Sequence, residues 1–163
     1  MILNNDVLIR EITAGDKLDL LAIRNDPENY KWFFHETSIS EEEHTRWFKD
    51  RLLTAKFFTL VADLNNRVIG IAYLNEFNST IAKISINIKS DMKGIGAGTK
   101  LLQELITRSK TTNINSLHAD IKISNEASIY FFTQHGFVDA SHNSKNLHDI
   151  HTEGATLILS LSL

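Results

Sequence analysis

Cysteine does not occur anywhere in this chain of 163 residues. Its absence excludes disulfides and removes every thiol nucleophile, so no acyl group could pass through a cysteinyl intermediate. Proline occurs once, at Pro27, and neither charge dominates: 17 basic and 20 acidic side chains give a formal net charge of −3. That balance offers no basic field for nucleic acid. No apolar run approaches the roughly 20 residues of a membrane span. The opening MILNNDVLIR lacks the charged and apolar regions of a secretory signal, so a cytoplasmic protein is expected. The seven histidines show no H-E-x-x-H spacing, and no metal site is expected. Length and an ordinary 42% hydrophobic content predict one globular domain spanning 1–163.

What the chain does have is concentrated between Ile84 and Thr107. Ile84, Ile86 and Ile88 alternate with Ser85, Asn87 and Lys89, the period of a strand with one buried face. Three glycines follow, Gly94, Gly96 and Gly98, and from Gly98 the period changes, with Leu101, Leu102, Leu105 and Ile106 at helical spacing. A strand thus runs through a glycine-rich turn into a helix. The first amides of a helix have no internal partner and carry partial positive charge, and glycines let a phosphate approach without a Cβ between. Lys93 adds a cation. A phosphate-binding loop is one reading; a loop that merely turns is the other.

Among phosphate loops, a P-loop needs Gly-Lys-Ser/Thr, and no glycine here precedes a lysine. A dinucleotide fingerprint G-x-G-x-x-G fails at Thr99, although Asp120 lies at the spacing of a ribose contact. Lys93-Gly94-Ile95-Gly96-Ala97-Gly98 resembles a third type, the (Arg/Gln)-x-x-Gly-x-(Gly/Ala) loop of the GNAT superfamily of N-acetyltransferases, with Lys93 in place of the usual Arg or Gln.

The remaining elements read as follows. Val7–Ile12 is a strand; Thr13 and Asp16 form a capping box for a helix that ends near Asn25, ahead of Pro27. Asp26 to Ser38 is irregular and aromatic. Ser40 and Glu43 form a second capping box, starting a helix with Trp47, Phe48 and Leu52 on one side. Phe57–Ala62 and Arg67–Leu74 are strands joined at Asn65-Asn66, and Ile81–Lys89 continues the meander. Ser116–Ile121 is a strand, Ser124-Asn125 caps a helix over 126–135, and Phe137-Val138 opens another strand. Ser141–Gly154 is loop-like, and Ala155–Ser162 alternates as the last strand. This order predicts an α+β (mixed α/β) domain rather than a doubly wound one, which weakens the dinucleotide reading.

A second motif joins the first. Asn125-Glu126-Ala127-Ser128 through Phe132 to Gly136-Phe137 resembles the N-x-x-(A/S)-x-x-x-Y-x-x-x-G-F segment of the same superfamily. The resemblance covers nearly the whole chain. It implies a mostly antiparallel sheet of six to seven strands flanked by about four helices, splayed between strands 4 and 5. It also implies acetyl-coenzyme A as co-substrate, held by Ile86, Ile88, Lys93, Gly94, Ile95, Gly96, Ala97, Gly98, Thr99, Asn125, Ser128 and Phe132. One departure stands out: the family tyrosine that protonates the leaving thiolate falls at Phe132, which has no proton to give. Tyr130 lies roughly 200° away around the helix and cannot replace it.

The N-terminal third, Ile23-Arg24-Asn25-Asp26-Pro27-Glu28, Trp32-Phe33, Ile39-Ser40 and Glu43-His44 before Trp47-Phe48, resembles the acetyltransferases of pseudaminic acid biosynthesis, which act on the 4-amino group of a nucleotide-linked amino sugar. Ribosomal-protein N-terminal acetyltransferases begin similarly. The resemblance implies an acceptor site at Asn25, Trp32, Glu43 and His44, a small-molecule amine as partner, and a homodimer. Candidate bases are Glu76, His118, Asn87 through a water, and His44. Three readings stay open: an amino-sugar N-acetyltransferase, a protein N-terminal acetyltransferase, and a module that binds coenzyme A without turnover.

Overall fold

The computed structural model describes residues 6–54, 58–76, 78–141 and 156–163, with Glu76 described through its backbone alone. The first strand, β1 (Leu8–Glu11), leads through a 3₁₀ turn (Ala14–Asp16) into α1 (Lys17–Arg24), α2 (Pro27–Tyr30) and α3 (Glu41–Leu53). A meander follows: β2 (Thr59–Leu64), β3 (Arg67–Glu76) and β4 (Ile81–Ile88). Then come α4 (Ala97–Ser109), β5 (Ser116–Lys122), α5 (Glu126–Gln134), β6 (Val138–Asp139) and β7 (Thr156–Ser162). The expected loop at 142–154 lies outside the described residues.

Local chemistry accounts for most boundaries. Thr13 donates to Asp16 Oδ2 from its amide at 2.7 Å and from its hydroxyl at 3.1 Å, but the box opens a 3₁₀ turn before the helix begins. Asp16 is also gripped by Arg10, whose guanidinium bridges it to Asp63 and so ties β1, the turn and β2 together. Burial would push the Asp16 carboxyl up; Arg10 and Thr13 outweigh it and hold it below the ordinary carboxylate range. The stretch expected to be irregular contains α2, one helical turn started by Asp26, which accepts from the Glu28 amide, with Pro27 in the first position, where proline is favoured. Ser40 and Glu43 do form the box that starts α3. Leu52 is more exposed than its helical spacing suggested, at 39%. Asn65 and Asn66 both have positive φ, 55° and 62°, the geometry that joins two twisted strands tightly.

The strands form one sheet in the order β1-β2-β3-β4-β5-β7-β6. Every pairing is antiparallel except β4 with β5. That parallel contact spans three residue pairs, Ile81↔Ser116, Ala82↔Leu117 and Lys83↔His118, and then stops. β4 stays paired with β3 as far as Ile88↔Gly70, and β5 with β7 as far as Lys122↔Thr156. Each strand keeps its outer partner while the two diverge, so the sheet opens into a V whose vertex is Lys83↔His118.

The alternation of β4 sorts its side chains between two layers. Ile84, Ile86 and Ile88 pack with Leu101, Leu102 and Leu105 of α4 and Phe132 of α5. On the opposite face Ile71 and Val61 pack with Leu20 and Ile23 of α1 and Phe48 of α3. Cross-strand pairs share a face, so Tyr73↔Ser85 and Ile71↔Asn87 put Ser85 and Asn87 on the α1/α3 side. The V is therefore reached from both faces of the sheet.

Candidate functional site: two cavities that meet on one strand

Gly96 caps α4 with φ 84°, and Gly94 has the same φ. A Cβ on either would meet no atom within 4 Å, so both glycines face open space. The first bond across the helix start is Lys100 N to Gly96 O at 3.1 Å, which leaves the amides of Ala97, Gly98 and Thr99 ahead of it without a helical partner. The helix begins one residue earlier than the Gly98 start read from periodicity, because a left-handed glycine at its N-cap, Gly96, supplies the turn.

These residues line a groove of about 500 Å³ with Ile86, Ile88, Met92, Lys93, Asn125, Ser128, Phe131 and Phe132. Nearly all the expected cofactor residues therefore come together, and the donor set of amides and one lysine suits a diphosphate. Ile95 departs: its side chain is 48% exposed and does not line the groove. Asn125 caps α5, accepting from Ser128 N at 3.2 Å, so its Oδ1 is already used within the helix start. Phe132 is 6% exposed and stacks edge-on with Phe131 and Phe137. Its position is apolar, and no hydroxyl stands there.

A second cavity, about 230 Å³, opens on the other face, between α1, α3 and β3. Leu20, Ile23, Ile39, Trp47, Ile71 and Tyr73 wall it, with Arg24, His44 and Asn87 as the remaining lining. Asn87 belongs to both cavities. Arg24 stacks on Phe33 at 4.4 Å and donates to the Thr37 carbonyl, and it forms no ion pair among the described residues. Burial works against its charge, so an anion in the cavity would be welcome there. In the sequence Arg24 is one residue of the Ile23–Glu28 resemblance and Tyr73 one residue of the Arg67–Leu74 strand, and nothing local marks either as cavity lining.

Several expected acceptor residues do other work. Asn25 donates to the Ile39 carbonyl at 2.9 Å and accepts the Ile39 amide at 2.8 Å, pinning the 26–39 loop to α1. Glu43 is the exposed cap of α3, bonded to Ser40. Trp32 lines the cofactor groove and the mouth of the V instead of the aromatic cavity. Asn29, unnoticed in the sequence, is buried and donates to the carbonyls of Ile23 and Ile88, fastening α2 to the end of β4.

Of the candidate bases, Asn87 alone lies where the cavities join. Glu76 pairs with Ala82 beyond the vertex, and its side chain is outside the described residues. His44 is 1% exposed, with Nε2 3.0 Å from the Lys17 carbonyl and its ring stacked on Trp47. Burial lowers its pKa, although the Lys17 carbonyl opposes that. Burial also lowers His118, which Asp120 opposes. Each ring therefore takes up a proton less readily in the fold than in the unfolded chain. Their stabilisation is thus complete above the unfolded value of about 6.5 and is lost as pH falls below it toward and through the lowered folded values. The denaturation midpoint should drop between pH 7.5 and 5.5, and less so in His44→Gln; identical midpoints in the wild type would contradict this.

Among the described residues no helix is long and apolar enough to cross a membrane, and no cluster of three His, Asp or Glu could hold a metal.

Comparison with known proteins agrees with this geometry. A methionine sulfoximine/methionine sulfone acetyltransferase of Pseudomonas aeruginosa is 29% identical over 136 residues, covering 79% of this chain and 78% of that one. A ribosomal-protein-alanine N-acetyltransferase from Brucella melitensis superposes with a TM-score of 0.79 at 28% identity, over 96% of this chain and 99% of that one. A phosphinothricin acetyltransferase from Sinorhizobium meliloti, solved with acetyl-coenzyme A, shares the fold at a TM-score of 0.77 and 24% identity, over 96% and 88%. The acetyltransferase (GNAT) family model matches residues 21–137. With the splayed sheet and the glycine-capped helix at its edge, that match makes this chain a member of the GNAT family and an acetyl-coenzyme A-dependent N-acetyltransferase.

Proposed function

We propose that the aromatic cavity receives a small primary amine carrying an anionic group, and that the amine attacks the thioester at Asn87, where cavity and groove join. The finer reading is the 4-amino group of a nucleotide-linked amino sugar: Arg24 takes the diphosphate, and Trp47 and Tyr73 offer faces to a base or sugar ring. The shared lining residue Asn87 carries this reading, because it gives acceptor and acetyl group one place to meet from opposite faces of the sheet. In this scheme the diphosphate of acetyl-coenzyme A rests on the amides of residues 94–99, and the unpaired edge of β4 beyond Lys83 orders the pantetheine arm.

The chemistry asks little of a base. A lysine-like amine of pKa about 10.4 costs roughly 4–5 kcal/mol to deprotonate at pH 7, an α-amino group near 7.7–8.0 only about 1–1.5. A sugar amine flanked by electron-withdrawing oxygens behaves like the second. Phe132 leaves the departing thiolate to be protonated by solvent.

A second reading has its own support: the Pseudomonas relative is named for methionine sulfoximine and methionine sulfone, which are amino acids, and a carboxylate would satisfy Arg24 equally well. Free-thiol release from acetyl-coenzyme A with a panel of amines tests both. Turnover is expected with a nucleotide-linked 4-amino sugar and not with methionine sulfone. The reverse pattern supports the amino-acid reading. Turnover of alanine-terminated peptides alone would assign the cavity to a protein N-terminus and overturn both.

A further inference from the structure

We propose that Asp120 is the group that receives the attacking amine: its Oδ1 accepts a hydrogen bond from the nitrogen and takes a proton from it as the amide forms. The inference deepens the acetyl-transfer reading above and rests on it. Asp120 follows the vertex pair Lys83↔His118 by two residues, so it stands on the acceptor face of β5 where the strands have begun to part. Its side chain is 12% exposed. Lys83 Nζ donates to Oδ2 at 2.5 Å and fixes the carboxylate, whereas Oδ1 is buried and accepts nothing among the described residues. A buried carboxylate oxygen with no donor is costly, and a bound N–H would relieve it. The cavity it lines, about 100 Å³, is shared with Ser85, Asn87, Asn125, Ser128 and Phe132. Four of these, Asn87, Asn125, Ser128 and Phe132, also line the cofactor groove. The orphan oxygen thus borders the place where the thioester must lie.

The step balances. The ammonium gives its first proton to water, and the neutral nitrogen attacks the thioester carbon, forming the N–C bond. Asp120 takes the second proton from the tetrahedral intermediate, the C–S electron pair leaves with sulfur, and the thiolate is protonated from water. Asp120 returns its proton to solvent once the product leaves, for a net release of one proton per acetyl group transferred. His118 is less suited, because it sits at the closed vertex opposite Lys83.

Asp120→Asn should cut kcat/KM about 10²- to 10⁴-fold for whichever amine the wild type acetylates. Acetyl-coenzyme A affinity, read by calorimetry, should stay within about twofold, which also reports that the variant is folded. Asp120→Ala should regain rate on addition of formate, which does not accelerate the wild type. A rate for Asp120→Asn close to wild type, a cofactor affinity that falls in step with the rate, or no effect of formate on Asp120→Ala would each overturn the assignment alone. A wild type that binds acetyl-coenzyme A but acetylates no amine would overturn the acceptor reading and this one with it.

Discussion

Gly98→Val should lose at least about 100-fold in affinity for acetyl-coenzyme A, roughly 3 kcal/mol, without losing stability. The two effects separate because of where Gly98 lies. It is inside the first turn of α4, has no positive φ, and valine is the better helix former there. A Cβ at this position would lie 3.5 Å from Phe131 Cε2, an ordinary contact, so the protein itself accommodates it. The remaining methyl groups would stand in the groove between Phe131 and Ile88, over the amides expected to hold the diphosphate. Gly96 makes a poorer test. Any side chain there sits at φ 84°, costing about 1–2 kcal/mol of stability before a ligand is considered. Calorimetric titration and a thermal melt of Gly98→Val check both halves; unchanged affinity in a folded variant would remove the glycine turn from the binding site.

The second large effect is expected at Arg24. Arg24→Ala should raise the acceptor KM about 30- to 150-fold, corresponding to roughly 2–3 kcal/mol, while the KM for acetyl-coenzyme A and kcat stay near wild type. The lower part of the range for paired buried charges applies because Arg24 is only partly buried and retains the Thr37 carbonyl and the Phe33 face as alternatives. Arg24→Lys should recover only part of the loss, since the planar fork that matches a phosphate or carboxylate is gone. Steady-state kinetics with both substrates varied decides the matter. A larger effect on the cofactor KM than on the acceptor KM would place the anion site in the wrong cavity.

The cofactor side of this protein was legible in the sequence because it is written in local chemistry. Glycines at fixed offsets ahead of a helical period, and Asn125 three residues before Ser128, describe backbone geometry that neighbouring residues set. The capping boxes at Thr13 and Ser40 and the Asn65-Asn66 turn were legible for the same reason. The splay itself followed from the family resemblance and not from any residue pattern. What decided the acceptor side was long-range. Asn25 looked like a site residue but satisfies the backbone of Ile39, 14 positions on, whereas Glu43 is the local exception, held by the Ser40 capping box already written in the sequence. Asp120 stood out in the sequence by its spacing for a ribose contact, and it is the ion pair with Lys83 that shows one of its oxygens held and the other left over. The short helix α2 escaped notice because a single turn leaves no period to detect, and Asn29, which anchors it, satisfies two carbonyls far apart in the chain.

The most direct measurement is a crystal structure of the protein with acetyl-coenzyme A. The diphosphate should lie about 3 Å from backbone nitrogens between Gly94 and Thr99, with the acetyl carbonyl beside β4 and its carbon open toward Asn87 and the Arg24 cavity. A cofactor bound with its diphosphate away from that turn, or with its acetyl group closed off from Asn87, would contradict the account.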